Sequence, residues 1–246
     1  ISSREHERLL NYVLHKSIKE SKVGITDINL ISVTNGPGLS GALLTGVSFA
    51  KGLALGLNIP IIPINHLEAH IFSNFLADPS LKYPFVCLLV SGGHTQLWHV
   101  EGFEKYELLG ETRDDAAGEA FDKGARIFGL KYPGGPEIEK HSIGGNPKAH
   151  QFPRGLINNN SLEFSFSGLK TSLLYFMDNF QESKSIKRRD IIASYQQAII
   201  DTLVEKMKRS IAKTKVRNCV IAGGVAANKC LRENLKKSIT NVNLIY

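Results

Sequence analysis

Two imidazoles four residues apart in His66-Leu-Glu-Ala-His70, and a glycine turn in Leu89-Val-Ser-Gly-Gly-His-Thr-Gln96, are the parts of this chain best equipped for chemistry. Positions i and i+4 of a helix share a face, with Cβ atoms ~5–6 Å apart, so His66 and His70 can hold one metal ion from two corners. The plainer alternative is a pair of half-buried histidines bonded to backbone. A zincin protease reads H-E-x-x-H, with its glutamate next to the first ligand. Here Glu68 follows His66 by two positions, about 200° round the helix, which argues against that mechanism. Two imidazoles leave a metal short of ligands, so a carboxylate is expected from elsewhere.

Ser91-Gly-Gly-His-Thr95 can aim successive backbone N–H groups into one concavity, because glycine tolerates the backbone angles this requires. An ordinary hairpin turn is the competing reading. A metal and a phosphate cradle together would suit a nucleotide or an acyl phosphate. Gly36-Pro-Gly38 and Gly223-Gly224 pose the same choice between cradle and turn. In Gly223-Gly-Val-Ala-Ala-Asn228 a Gly-Gly turn leads from a strand into a helix N-terminus, which favours an anion. Asn228 is expected in the first helical turn, as a cap or a donor to ligand. Asp114-Asp-Ala-Ala-Gly-Glu-Ala-Phe-Asp122-Lys opens another helix with carboxylates. Helix-dipole complementation accounts for those in the first turn but not for Asp122, which could accept from a ribose or an amide. In Phe164-Ser-Phe-Ser-Gly-Leu-Lys-Thr171 the aromatics can anchor a helix, and the serines and Lys170 could face a substrate.

The elements that must position these residues alternate. The spacing predicts a helix from Ser2, with a Ser2…Glu5 capping box, to about Ser21. A strand at Leu30–Thr34, a helix at Ser40–Leu57, a strand at Ile59–Ile64 and an Asn65-capped helix to about Leu76 follow. This β-α-β-α rhythm favours a layered α/β lobe. Asp78-Pro-Ser is the expected boundary between a lobe of residues 1–77 and one of 78–246. The second lobe holds strands at Phe85–Val90, Thr95–Val100 and Tyr106–Thr112, the first two forming a hairpin. A helical insertion is expected over about 113–185, including helices at Ala116–Phe128, from near Pro136, and from Phe164 to about Asn179. A long helix over Arg188–Lys213, a strand at Cys219–Ala222 and a helix at Ala227–Ile239 complete the reading.

Of 246 residues, 42% are hydrophobic and 22% charged, as in ordinary globular proteins. No apolar run reaches the ~20 residues of a membrane span, and no signal peptide is visible. Cys87, Cys219 and Cys230 form no CxxC pair, which argues against a cysteine zinc site. Cys87 and Cys219 are expected as buried small hydrophobes in a reducing compartment. The net charge of +7 comes from 30 basic and 23 acidic residues. Basic clusters at Lys184–Arg189, Lys206–Lys215 and Lys229–Lys237 read equally as solvated helix faces or as an RNA-facing surface. The chain opens on Ile1 rather than Met and ends on Asn-Leu-Ile-Tyr246, a strand without a successor, so residues beyond both ends are expected.

Taken together, seven runs in order resemble the TsaD-type tRNA threonylcarbamoyladenosine transferases, a family once described as glycoproteases. They are Gly36-Pro-Gly-Leu-Ser-Gly-Ala-Leu43, His66–His70, Leu89–Gln96, Asp114–Lys123, Tyr132-Pro-Gly-Gly-Pro136, Phe164–Thr171 and Ala222-Gly-Gly-Val-Ala-Ala-Asn228. The resemblance implies an α/β fold of the actin/Hsp70/sugar-kinase type, two RNase H-like lobes around a nucleotide cleft. It implies transfer of threonylcarbamoyl from threonylcarbamoyl-AMP to N6 of the adenosine beside the anticodon, in tRNAs reading codons that begin with A. It implies metal ligands at His66 and His70, and donor-binding residues at Leu89, Val90, Ser91, Gly92, Gly93, Asp122, Gly135 and Asn228. It assigns no catalytic acid or base.

The family favours Fe2+, and Zn2+ suits the same imidazole-carboxylate set. Leu89 and His94 stand where the archaeal and eukaryotic cytosolic branch carries Tyr and Asn. A bacterial-type protein is therefore implied, in the cytoplasm rather than a mitochondrion or plastid, working off the membrane with a TsaB-like paralogue and a TsaE-like ATPase. Two family elements would lie outside the chain: a first strand with a Gly-Ile-Glu-Thr-Ser-Cys-Asp-Glu turn before Ile1, and a third metal ligand, an Asp in Cys-Thr-Asp-Asn, after Tyr246. A metal-dependent endopeptidase, disfavoured by Glu68, and a non-catalytic nucleotide-binding partner, disfavoured by the histidine pair, are the competing functions.

Overall fold

The computed structural model describes residues 2–246, which divide into two compact units at Phe72/Ser73. That is five residues before the Asp78 boundary read from the sequence. The side chain of Ser2, and with it the expected capping box, lies outside the described residues.

In the first unit α1 (Ser2–Ser21) precedes β1 (Ile31–Gly36), α2 (Ser40–Leu57), β2 (Ile61–Asn65) and α3 (His66–Phe72). β1 and β2 pair in parallel, Ile31 opposite Ile61 and Thr34 opposite Ile64, with α2 as the crossover. Asn58 ends α2 in the left-handed conformation, its N–H closing on the carbonyls of Ala54 and Leu55. α2 packs on α1 and β1. It has 18 residues of mean hydropathy 1.3, so by length and composition it matches a membrane span, although Lys51 interrupts its apolar run. The side-chain oxygen of Asn65 accepts from the N–H groups of Leu67 and Glu68, at 2.8 and 3.3 Å, and so starts α3. The single helix expected from there to Leu76 is two: α3 stops at Phe72, and a new turn, α4 (Asn74–Ala77), hangs from the carbonyl of Ser73.

The second unit is built on a five-stranded sheet in the order β5-β4-β3-β6-β7. β3 (Phe85–Val90), β4 (Thr95–Gly102) and β5 (Lys105–Glu111) form an antiparallel meander; β6 (Asn218–Ala222) adds in parallel to β3, and β7 (Asn243–Ile245) in parallel to β6. Every residue of β3 is buried, consistent with a central strand whose run is apolar throughout. Val86, Leu88, Val90, Leu97, Cys219 and Ile221 put one face of the sheet into the main core. α5 (Ala117–Ile127), α7 (Ser167–Asp178) and the 27-residue α8 (Arg188–Thr214) pack there, with Phe121, Leu173, Tyr195 and Ile199 inside. Burial pushes the Cys87 and Cys219 thiols up to about 12, so both are inert fillers at neutral pH.

Pro136, expected near the start of its helix, is the third residue of α6 (Gly134–Ser142); it is tolerated because N–H groups of the first turn have no acceptor within the helix. Two local readings need correction. The helix expected at Ala227–Ile239 is a 3-10 turn, Gly224–Ala227, followed by α9 (Lys229–Ser238). Gly223, at φ +91, leads into the 3-10 turn, and the extended Asn228 alone separates that turn from α9, so Asn228 caps α9 rather than sitting in its first turn. Within the basic run from Lys206 to Lys215, Lys206 is buried and Arg209 half-buried, and both are bonded within the chain. The buried ammonium of Lys206 donates to the carbonyls of Leu156 and Ser161, each at 2.6 Å, and Arg209 donates to those of Ile157 and Asn159. Together they staple the loop over residues 156–161 to α8.

Candidate functional site

The hairpin between β3 and β4 closes tightly. The Ser91 N–H donates to the His94 carbonyl at 2.8 Å, and the Ser91 hydroxyl oxygen accepts from the His94 N–H at 3.1 Å. Of the three amides expected to cradle a phosphate, Ser91 is therefore spent inside the turn. The amides of exposed Gly92 and Gly93 are the ones open to an anion. Leu89 and Val90 are fully buried strand residues beneath them.

α5 starts against this turn. The buried Thr95 hydroxyl oxygen accepts from the Ala117 N–H at 2.8 Å, and the Gly118 N–H donates to the Ser91 carbonyl at 3.2 Å. A Cβ on Gly118 would meet that carbonyl at 2.5 Å and the Gly92 Cα at 2.8 Å, so glycine is required for the approach. The positive end of α5 thus lies at the glycine turn. At the next turn of α5, the Asp122 carboxylate accepts from the Gly134 N–H at 2.7 Å, which seats the start of α6 on α5. On the other side, Asn228 uses both ends of its amide: the oxygen accepts from the Leu231 N–H at 2.9 Å, and the nitrogen donates to Gln196 at 3.1 Å. Gln196 in turn donates to Ser142, and Ser142 to the Glu139 carbonyl, joining α9, α8 and α6 in one chain.

These elements enclose a cavity of about 300 Å³, the low end of the range for small-molecule sites. Gly92, Asp122, Gly135 and Asn228 line it, four residues from four separate motifs. Of the other expected donor contacts, Ser91 and Gly93 flank Gly92 in the turn, and Leu89 and Val90 lie beneath. Phe121, Pro136 and Val225 supply apolar wall, and Glu139 supplies a carboxylate whose oxygen accepts from the Lys229 N–H at 2.7 Å. Sequence reasoning missed Glu139. Its signal was spacing: it follows Gly135 by one helical turn and so shares its face. All of these residues belong to the second unit.

Asp114 does not join the cavity. It receives the Ser165 hydroxyl at 2.6 Å, the Ser167 hydroxyl at 2.8 Å, and the N–H groups of Phe166 and Ser167. It is the cap of α7, supplied from 52 residues away. Burial pushes this carboxyl up, but these hydrogen bonds outweigh that and hold it below its ordinary value. The serines of the Phe164–Thr171 run are thus committed to structure.

In the first unit His66 and His70 lie with ring centroids 4.5 Å apart and planes at 65°. Both are half-buried on one face of α3. The pair fits two corners of a metal site. Among the described residues no group of three or more His, Cys, Asp or Glu side chains is close enough to complete one.

The sequence profile of the TsaD family, tRNA N6-adenosine threonylcarbamoyltransferase, matches residues 1–246. Relatives bearing that name include one from Desulfitobacterium hafniense, 49% identical over 97% of this chain, and one from Thermosipho melanesiensis, 52% identical over 94%. The chain spans 70% of the length of each. Among solved structures, full-length HypF in a phosphate- and nucleotide-bound form superposes with a TM-score of 0.67 at 12% identity, covering 96% of this chain and 46% of that one. The (R)-2-hydroxyglutaryl-CoA dehydratase component A of Acidaminococcus fermentans superposes at 0.55 and 15%, covering 92% and 73%. These likenesses identify the fold as the actin/Hsp70/sugar-kinase type, and the match over the whole sequence decides the family: the chain belongs to the TsaD family of tRNA N6-adenosine threonylcarbamoyltransferases.

Proposed function

We propose that this protein transfers a threonylcarbamoyl group to N6 of the adenosine beside the anticodon, in tRNAs reading codons that begin with A, and that the donor, threonylcarbamoyl-AMP, occupies the cavity of the second unit. The observation that carries this is the meeting of Gly92, Asp122, Gly135 and Asn228 around one hollow. The donor is a mixed carbamic–phosphoric anhydride, with an electrophilic carbonyl carbon and AMP as a good leaving group. The acceptor is an exocyclic aromatic amine, a poor nucleophile. Catalysis then lies mainly in positioning the two and stabilising developing oxyanion charge. The Gly92 and Gly93 amides and the start of α5 suit the donor's phosphate. One Asp122 oxygen is occupied by Gly134; the other can accept a ribose hydroxyl. Phe121, Pro136 and Val225 offer a surface for adenine.

His66 and His70 would hold a divalent metal, Fe2+ in preference to Zn2+, with a third ligand, an Asp, from beyond Tyr246. When bound, it would supply Lewis-acid polarisation of a carbonyl or phosphoryl oxygen. No side chain is assigned as general base. Bacterial relatives support a bacterial setting; in that reading the protein would work in the cytoplasm, beside a TsaB-like paralogue and a TsaE-like ATPase.

The test is reconstitution. Full-length protein, partner proteins, donor and unmodified tRNA should yield one adenosine bearing the added threonylcarbamoyl mass. No modified nucleoside, with the donor intact and the tRNA recovered unchanged, would contradict the proposal.

A further inference from the structure

Beside the donor cavity lies a second hollow of about 430 Å³, whose lining includes Glu119, Asp122, Lys123, Arg126, Lys131 and Tyr132. Asp122 and Tyr132 line both. Lys123 is already committed, its ammonium 2.5 Å from Asp115 and 2.9 Å from Glu119. Arg126 and Lys131 are exposed and take part in no ion pair among the described residues. Tyr132 is 84% exposed, the highest value for any aromatic residue among those described.

A lone exposed tyrosine needs no explanation. Arg126 alone is explained by its place in the last turn of α5, where a cation complements the helix dipole. Neither argument reaches Lys131, which lies beyond that helix, or accounts for an exposed ring on the rim shared by two hollows. An aromatic platform beside unpaired cations is the equipment that holds unpaired RNA: rings stack on bases of any sequence, and cations meet phosphates.

We infer that this hollow holds the unpaired nucleotides flanking the reacting adenosine, with Tyr132 stacked on a neighbouring base and Arg126 and Lys131 on the phosphates. The inference rests on the reading of the adjoining cavity as the donor site. An exocyclic amine must leave its stack to reach a bound donor, and the strand around it then needs a holder at the cavity's rim.

The test measures RNA and nucleotide binding separately, so the two readings can fail independently. Full-length protein with its partners is titrated with unmodified tRNA in the absence of donor at several salt concentrations, and in parallel with AMP. Replacing both Arg126 and Lys131 by Ala should weaken tRNA binding about tenfold and lower the log–log salt slope by about 1.4, two phosphate contacts' worth, with AMP affinity unchanged. Tyr132→Ala should weaken tRNA binding by about fivefold or more, and Tyr132→Phe should restore it. An unchanged tRNA affinity and salt slope in the double variant would overturn the inference, as would a loss confined to AMP. Failure of the wild-type protein to bind AMP, with the tRNA results intact, would instead count against the donor cavity.

Discussion

The Asp122 carboxylate receives the Gly134 N–H at 2.7 Å, and through that bond the two helices that wall the proposed donor cavity are held in register. The contact depends on Gly134 having no side chain. A Cβ there would lie 2.6 Å from the Asp122 Cα, 2.7 Å from the Phe121 carbonyl oxygen and 2.8 Å from the Ala125 Cβ. All three are backbone or stub atoms that cannot turn aside. Gly134→Ala should therefore destabilise the protein by about 1–3 kcal/mol, the usual cost of overpacking. Urea denaturation checks this; an unchanged midpoint would mean that α5 and α6 are not so closely held.

Asp114 caps α7 from a distance, and its removal should cost about 1–2 kcal/mol, as loss of a helix cap does. The sign of the pH dependence follows from its depressed folded value. Its contribution is fully present above the unfolded carboxyl range near ~4 and is lost as the pH falls through the folded value. Asp114→Asn should therefore narrow the stability difference between neutral and acid pH. Equal acid sensitivity in variant and wild type, followed by thermal melting, would contradict this.

Lys206 shows what composition hides. Its charge counts towards the chain's basic excess, yet its ammonium is buried against two carbonyls. Burial, then the neighbouring Arg209, holds it below the usual lysine range. Lys206→Met should cost about 1.5–3 kcal/mol, the worth of hydrogen bonds to a charged group, and should open residues 156–161 to proteolysis. Normal protease resistance would show that Arg209 suffices to hold that loop.

The imidazole pair makes a separate prediction. Full-length protein purified without chelator should carry a divalent metal, and replacing both His66 and His70 by Ala should lower its metal content by at least about tenfold, as expected when two ligands are lost. Elemental analysis measures this directly. An unchanged metal content would place the ion elsewhere.

Much of the fold was legible because glycine and proline punctuate this chain. Ser40–Leu57 and Phe85–Val90 are bounded by turn residues, and both elements have the limits the sequence implies. The four cavity residues were legible through the motifs that resemble the TsaD family: Gly92 and Gly135 stand in short, distinctive glycine runs, and Asp122 and Asn228 in runs of their own. What escaped depends on distance along the chain. Nothing local to Asp114 says that its partners are Ser165 and Ser167, and nothing local to Lys206 says that a loop some fifty residues earlier will cover it. The cap role of Asn228 was legible, but the break in the helix after Phe72 and the place of Asn228 ahead of α9 rather than in its first turn were missed, because a helix end is set by one residue's backbone angles, which a periodic pattern averages away.

Gly135 offers the most direct test of the donor cavity. It lines that cavity, and a Cβ added to it would meet nothing within 4 Å, so a side chain there enters the hollow without disturbing the fold. Calorimetric titration of AMP into the full-length protein and its Gly135→Val variant should give binding in the first and at least about tenfold weaker binding in the second, a loss of 1.4 kcal/mol or more, at equal thermal stability. Equal AMP affinity in the two proteins would contradict the assignment of this cavity to the adenylate.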